Sequence, residues 1–69
     1  MPLAFLKSGE TGVVKGVNGR DDTKRFLESL GFVAGAPVSV ISELSGNMIL
    51  SVKDTRIALD RGMARRIMV

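Results

Sequence analysis

The segment Leu30-Gly31-Phe32-Val33-Ala34-Gly35-Ala36-Pro37-Val38 constrains the fold of this chain more than any other stretch. Gly31 follows a run of helical periodicity, at the position where a backbone turns left-handed and a side chain would clash. Phe32 comes next and folds back toward Leu27, the apolar contact that accompanies such a stop. Val33-Ala34-Gly35-Ala36 suits a type II turn, with Gly35 where φ must be positive. Pro37 has no amide to give a ladder, so it belongs at the first residue of the next strand. A helix therefore ends and a strand begins within this one short span.

The flanks extend the pattern. Asp21-Asp22 opens the helix, because either carboxylate accepts from free first-turn amides and both sit at the positive end of the helix dipole. Phe26, Leu27 and Leu30 form its apolar stripe. Upstream, Leu3 and Leu6 read as a lead-in packed under a first strand, Thr11–Val17, which is β-branched and ends at Asn18-Gly19. Gly12 and Gly16 within it point to sharp curvature or close backbone approach. Downstream, Val38–Ser42 is the second strand and Ser45-Gly46-Asn47 a hairpin turn. Met48–Lys53 is the third strand, with Met48, Leu50 and Val52 on one face. Asp54-Thr55 turns the chain into a fourth strand, Arg56–Leu59. Asp60 caps a helical turn through Arg65, weakened at Gly62, and Arg66–Val69 is the fifth strand. The sum is mainly β. It is a small, partly open SH3-like barrel of five strands, with one short helix between strands one and two and a helical turn before the last. Residues 1–69 form one domain, in which closure is expected to hide most strand edges.

A chain of 69 residues buries only ~60% of the surface it exposes when unfolded, so its core has little margin. It has no cysteine and no histidine. That removes disulfides, thiolate nucleophiles, histidine-based triads and the usual ligands of zinc, copper and iron. Asp21-Asp22 is the one adjacent carboxylate pair, and capping explains it better than acid–base chemistry. No glycine-rich stretch continues into Gly-Lys-Ser/Thr, so no phosphate loop is present. Neither a signal peptide nor an apolar run long enough to span a membrane is visible. The chain reads as a cytosolic, non-enzymatic protein with no cofactor, and any membrane role comes through a partner.

What remains is a binding surface. Nucleic acid is not expected, because a formal charge of +3 is modest and no Tyr or Trp is available to stack bases. Phe32 and Phe26 read as packing, whereas Phe5 is hard to bury once Leu3 and Leu6 take the inward face. Met1, Met48, Met63 and Met68 read as core fillers. Phe5, Phe26 and Met63 are the candidate anchors for a protein partner, and Arg25, Arg61 and Arg65 the candidate rim charges. Exposed apolar residues also make a homo-oligomer a candidate.

Taken in order, Leu27-x-x-Leu30-Gly31-Phe32-Val33-x-Gly35-x-x-Val38, Gly46-Asn47, Ile57-Ala58-Leu59 and Ala64-x-x-Ile67-x-Val69 resemble the FeoA family, small cytosolic proteins of bacterial ferrous-iron transport. The lead-in Leu3-x-x-Leu6-x-x-Gly9 and Gly12 also fit. The resemblance implies an SH3-like barrel that binds FeoB, a membrane permease with a cytosolic GTPase domain, and supports or regulates Fe²⁺ uptake. It supplies no catalytic residue. Ala34 stands where many members have proline, and Phe5 and Phe26 are more apolar than the pattern requires. Two other readings compete. One is a relative of the SH3-like domain at the C-terminus of DtxR-type iron-dependent regulators. The other is an RNA-binding barrel, motivated by Gly12–Val17 and the positive charge.

Overall fold

The computed structural model describes the whole chain, Met1–Val69. Its organisation follows from how the one long helix, α1 (Asp22–Ser29), begins and ends. Asp21 is the N-cap, and its carboxylate accepts from the Lys24 amide. At the other end Gly31 has φ +111°. Its amide donates to the Glu28 carbonyl at 3.0 Å, and the Phe32 amide donates to the Leu27 carbonyl at 3.3 Å. Those two bonds are the paired closure of a Schellman stop, and both Leu27 and Phe32 are fully buried. Gly35 follows with φ +90°, and Ala36 donates to the Val33 carbonyl at 3.0 Å. The expected turn thus delivers Pro37 as the first residue of the next strand.

The strands are β1 (Thr11–Val13), β2 (Gly16–Val17), β3 (Pro37–Leu44), β4 (Asn47–Val52), β5 (Thr55–Asp60) and β6 (Ile67–Met68). A 3₁₀ turn over Leu3–Phe5 precedes them, and a four-residue helix, α2 (Arg61–Ala64), lies between β5 and β6. Four strands pair antiparallel in the order β1-β3-β4-β5, and β2 pairs antiparallel with β6 as a separate ribbon. The two layers enclose an apolar core of Leu3, Val14, Leu27, Phe32, Val38, Val40, Met48, Leu50, Val52, Leu59, Ile67 and smaller residues, with no buried polar or charged side chain.

Three sequence-based expectations are corrected. The first strand, expected as Thr11–Val17, is two strands in two sheets. Val14 is exchanged into the core between them, bonded to Ala36 and Gly35, and Lys15 then donates to the Met68 carbonyl of the second layer. The chain thus crosses from one layer to the other at Val14-Lys15, which makes six strands rather than five. The second correction is that β3 runs on to Leu44 because a bulge at Ile41 shifts its register against β4. One inserted residue reverses the alternation on which a shorter strand was read. The third concerns the turn after β4, which is Lys53-Asp54 rather than Asp54-Thr55. Both residues have positive φ and Val52 pairs with Thr55, the two-residue type I′ connection that matches strand twist. Ser45-Gly46 makes the same turn one hairpin earlier.

The glycines of the first strand divide. A Cβ at Gly12 would press on Val69 and Leu6, whereas the space at Gly16 is open. Closure is also incomplete. The four-stranded sheet keeps two outer edges, and the one along β5 is six residues long.

Candidate interaction surface

The helical turn before β6 is fixed by two side chains. Asp60 is the N-cap of α2 and accepts from the Met63 amide at 2.7 Å. Arg61, the next residue, donates to Glu43 Oε2 at 2.9 Å and to the Ala4 carbonyl at 2.9 Å. It therefore ties the end of β3 to the 3₁₀ turn. The expectation treated Arg61 as a rim charge, and the structure shows that two of its donors are already occupied. Ala4 is buried, while its neighbour Phe5 is 61% exposed. Packing of α2 against the 3₁₀ turn brings Phe5, Arg61 and Met63 to one end of the molecule. Met63 is half-buried against the core, and Arg65, the C-cap of α2, is exposed.

Arg25 and Phe26 form a second group on α1, which packs mainly on β2. Arg25 is exposed and lies 3.7 Å from Asp22. Phe26 is 49% exposed, which corrects its reading as a packing residue. Leu27 takes the inward position, and Phe26, one residue earlier and about 100° around the helix, is left at the edge of the covered face. Phe32, by contrast, is core as expected. Of the methionines, Met48 is fully buried and Met1 is half-exposed.

Sequence reasoning missed four exposed apolar side chains, Leu44 at 67%, Val13 at 56%, Met1 at 51% and Ile41 at 40%. Leu44 was hidden by the bulge. Beyond Ile41, Ser42 and Leu44 occupy the outer face of the sheet opposite Ile49 and Asn47. It also missed Arg66, which donates from Nε to the Asn18 carbonyl at 3.1 Å and from both terminal nitrogens to Asp21. The hydrogen bond from Arg66 holds the Asp21 carboxyl below the usual carboxylate range, and Asp21 in turn makes Arg66 hold its proton more firmly.

No three Asp or Glu side chains converge. The one depression, about 320 Å³, is lined by Ser39, Ser51, Lys53 and Asp54, with Pro37 its only apolar side chain. No helix is long and apolar enough to cross a membrane. Phe5, Phe26, Val13 and Leu44 are isolated apolar side chains on an otherwise polar surface.

The fold and this surface define the class of a small SH3-like protein. Its architecture matches the zinc-complexed FeoA of Stenotrophomonas maltophilia, described as a procaryotic SH3 domain protein, with a TM-score of 0.90 at 31% identity over 100% of this chain and 88% of that one. The FeoA domain family model matches residues 1–69, and the chain belongs to the FeoA family. A protein of Methanocaldococcus jannaschii, provisionally named Fe(2+) transport protein A, is 40% identical over 68 residues, 99% of this chain and 83% of that protein. A manganese-dependent transcriptional repressor shares the fold at TM-score 0.84 and 21% identity. The match covers 97% of this chain but only 39% of the repressor. The likeness to regulator domains is therefore one of fold.

Proposed function

We propose that this chain is a non-enzymatic accessory module of ferrous-iron uptake that acts at the cytosolic face by binding the FeoB permease. The observation that carries this reading is membership of the FeoA family along the full 69 residues, together with the Fe(2+) transport name of a 40% identical relative. The geometry supports a binding role. Phe5 stands out from the end built by the 3₁₀ turn and α2, with Met63 and Arg61 beside it and Arg65 following. Phe26 and Arg25 stand out from α1. In such surfaces an aromatic anchor carries most of the affinity and charged rims tune the association rate.

The test is capture of full-length FeoB by the purified chain, with and without guanine nucleotide. Wild-type protein is expected to retain the permease, and the double variant Phe5→Ala/Phe26→Ala to bind at least about tenfold more weakly, a loss of about 1.4 kcal/mol. Undiminished binding by the double variant overturns the surface assignment. Failure of the wild type to bind in either nucleotide state overturns the accessory reading. The isolated chain is expected to bind Fe²⁺ weakly or not at all, and sub-micromolar binding in a direct titration would contradict that expectation.

A further inference from the structure

The outer edge of β5 is an unused pairing surface whose sequence is complementary to itself. Register fixes which groups it presents. In the Lys53-Asp54 turn the Val52 carbonyl accepts from the Thr55 amide, so Thr55 faces β4. Alternation then turns Ile57 and Leu59 toward β4 as well and leaves the amides of Arg56, Ala58 and Asp60 pointing away. None of those three amides appears in any turn, loop or capping bond of the molecule. The Arg56 and Ala58 carbonyls are equally free, while the Asp60 carbonyl, as that of an N-cap residue, already accepts the first bond of α2.

Apart from its two charged side chains, β5 lacks the devices that usually blunt an edge. β5 has no proline, no bulge and no covering segment, and Ala58 at its centre is exposed. Its charges are placed symmetrically, Arg56 two residues before Ala58 and Asp60 two after. Both lie on the outer face by their pairing with Ser51 and Asn47. Neither belongs to any of the molecule's three ion pairs, and Asp60 uses only one carboxylate oxygen in its cap.

We infer that the β5 edge pairs antiparallel with the β5 edge of a second copy of this chain, about a two-fold axis at Ala58. In that register Ala58 opposes Ala58, and each Arg56 opposes the other copy's Asp60. Two backbone hydrogen bonds cross at Ala58, and each Asp60 amide donates to an Arg56 carbonyl. Two ion pairs flank the axis on the outer face. The Ser42–Ile49–Ala58 row continues into its twin, so the pair forms one sheet of eight strands. Opposite charges directly across a ladder stabilise such pairing, and like charges oppose it. This is an isologous contact, which closes at two copies.

Sedimentation velocity on the full chain, from about 10 μM to about 1 mM, brackets a weak pair of this kind. The average mass is expected to climb from 7.4 kDa toward twice that value. Arg56→Glu sets like charges opposite each other and is expected to raise the dissociation constant at least about tenfold. Ala58→Pro removes only an outward amide, which an edge strand tolerates, and is expected to abolish the dimer. Amide exchange supplies a readout independent of both variants. The Ala58 and Asp60 amides should gain protection as concentration rises, while those of Ile57 and Leu59 are protected throughout. A chain that stays monomeric up to the highest concentration overturns the inference. So does a dimer equally tight in both variants, or one that protects amides elsewhere and leaves Ala58 exchanging freely.

Discussion

Asp21 and Arg66, 45 positions apart, meet in a two-point ion pair, with Nη2 2.7 Å from Oδ1 and Nη1 3.3 Å from Oδ2. The same carboxylate caps α1 through the Lys24 amide. The start of the only long helix is thereby fastened to the last segment of the chain, where Asn18 also donates to the Arg66 carbonyl at 2.7 Å. One side chain serves both the local rule of helix capping and the closure of the second layer.

This pair sets an acid dependence. The native Asp21 carboxyl titrates below its ordinary value of 3.8, chiefly because Arg66 hydrogen-bonds its ionised form. A group with a depressed native pKa stabilises the fold fully above its unfolded value, and that stabilisation is lost as pH falls through the native one. Arg66→Met is therefore expected to lower Tm at neutral pH and to approach the wild-type Tm as pH drops below 3.8. Thermal melts followed by circular dichroism across that window check it. Parallel pH curves for the two proteins would show that Arg66 acts only through packing or through Asn18.

Gly19 is tied to the same pair. It has φ +111°, and a Cβ there would collide with the Arg66 guanidinium. The arginine tip can swing away, but only by leaving Asp21. Gly19→Ala is expected to cost about 1–2 kcal/mol from backbone strain, and the loss of the pair adds to it. In an Arg66→Met background the added cost should shrink to the strain alone. Urea denaturation of the four proteins gives the coupling directly, and strict additivity would contradict the collision.

Phe32 is the largest fully buried side chain and packs where the helix stop meets the core. Phe32→Ala is expected to cost about 3–5 kcal/mol. A domain this short has about 5 kcal/mol or little more in total, so the variant should sit at the edge of unfolding at 25 °C. A urea midpoint within the error of wild type would show that the site collapses around the missing ring.

Arg25 and Arg61 should separate in stability. Arg25 is 83% exposed in its side chain beside a fully exposed Asp22, and Arg25→Ala is expected to leave the urea midpoint unchanged. Arg61→Ala strips donors from Glu43 and the Ala4 carbonyl and is expected to cost about 1 kcal/mol. Equal effects would refute the staple between β3 and the 3₁₀ turn. Binding studies with Arg61 variants must therefore be read beside their stability.

Much of the fold was legible because its signals are local. Gly31, Gly35 and Pro37 each answer to a dihedral requirement within a few residues, and Asp21 and Asp60 cap helices as their positions predict. The candidate surface was legible only in part. Phe5 was correctly left outside because Leu3 and Leu6 claimed the inward face. Phe26 looked like core from spacing alone, since periodicity names a stripe but not how much of it the neighbouring strands can cover. Leu44 escaped notice because the bulge at Ile41 changed the period on which the strand was judged.

By itself, then, the sequence determined the stops, turns, caps and apolar faces of this protein, and through their order the family to which it belongs. Each of these rests on the steric and hydrogen-bonding preferences of neighbouring residues. Only the tertiary structure decided that the first strand crosses between two layers at Val14-Lys15, that Arg66 closes on Asp21, that Arg61 is a staple, and that β5 keeps an open edge. Those outcomes depend on which distant segments meet, and no local preference specifies the partner of a side chain tens of residues away.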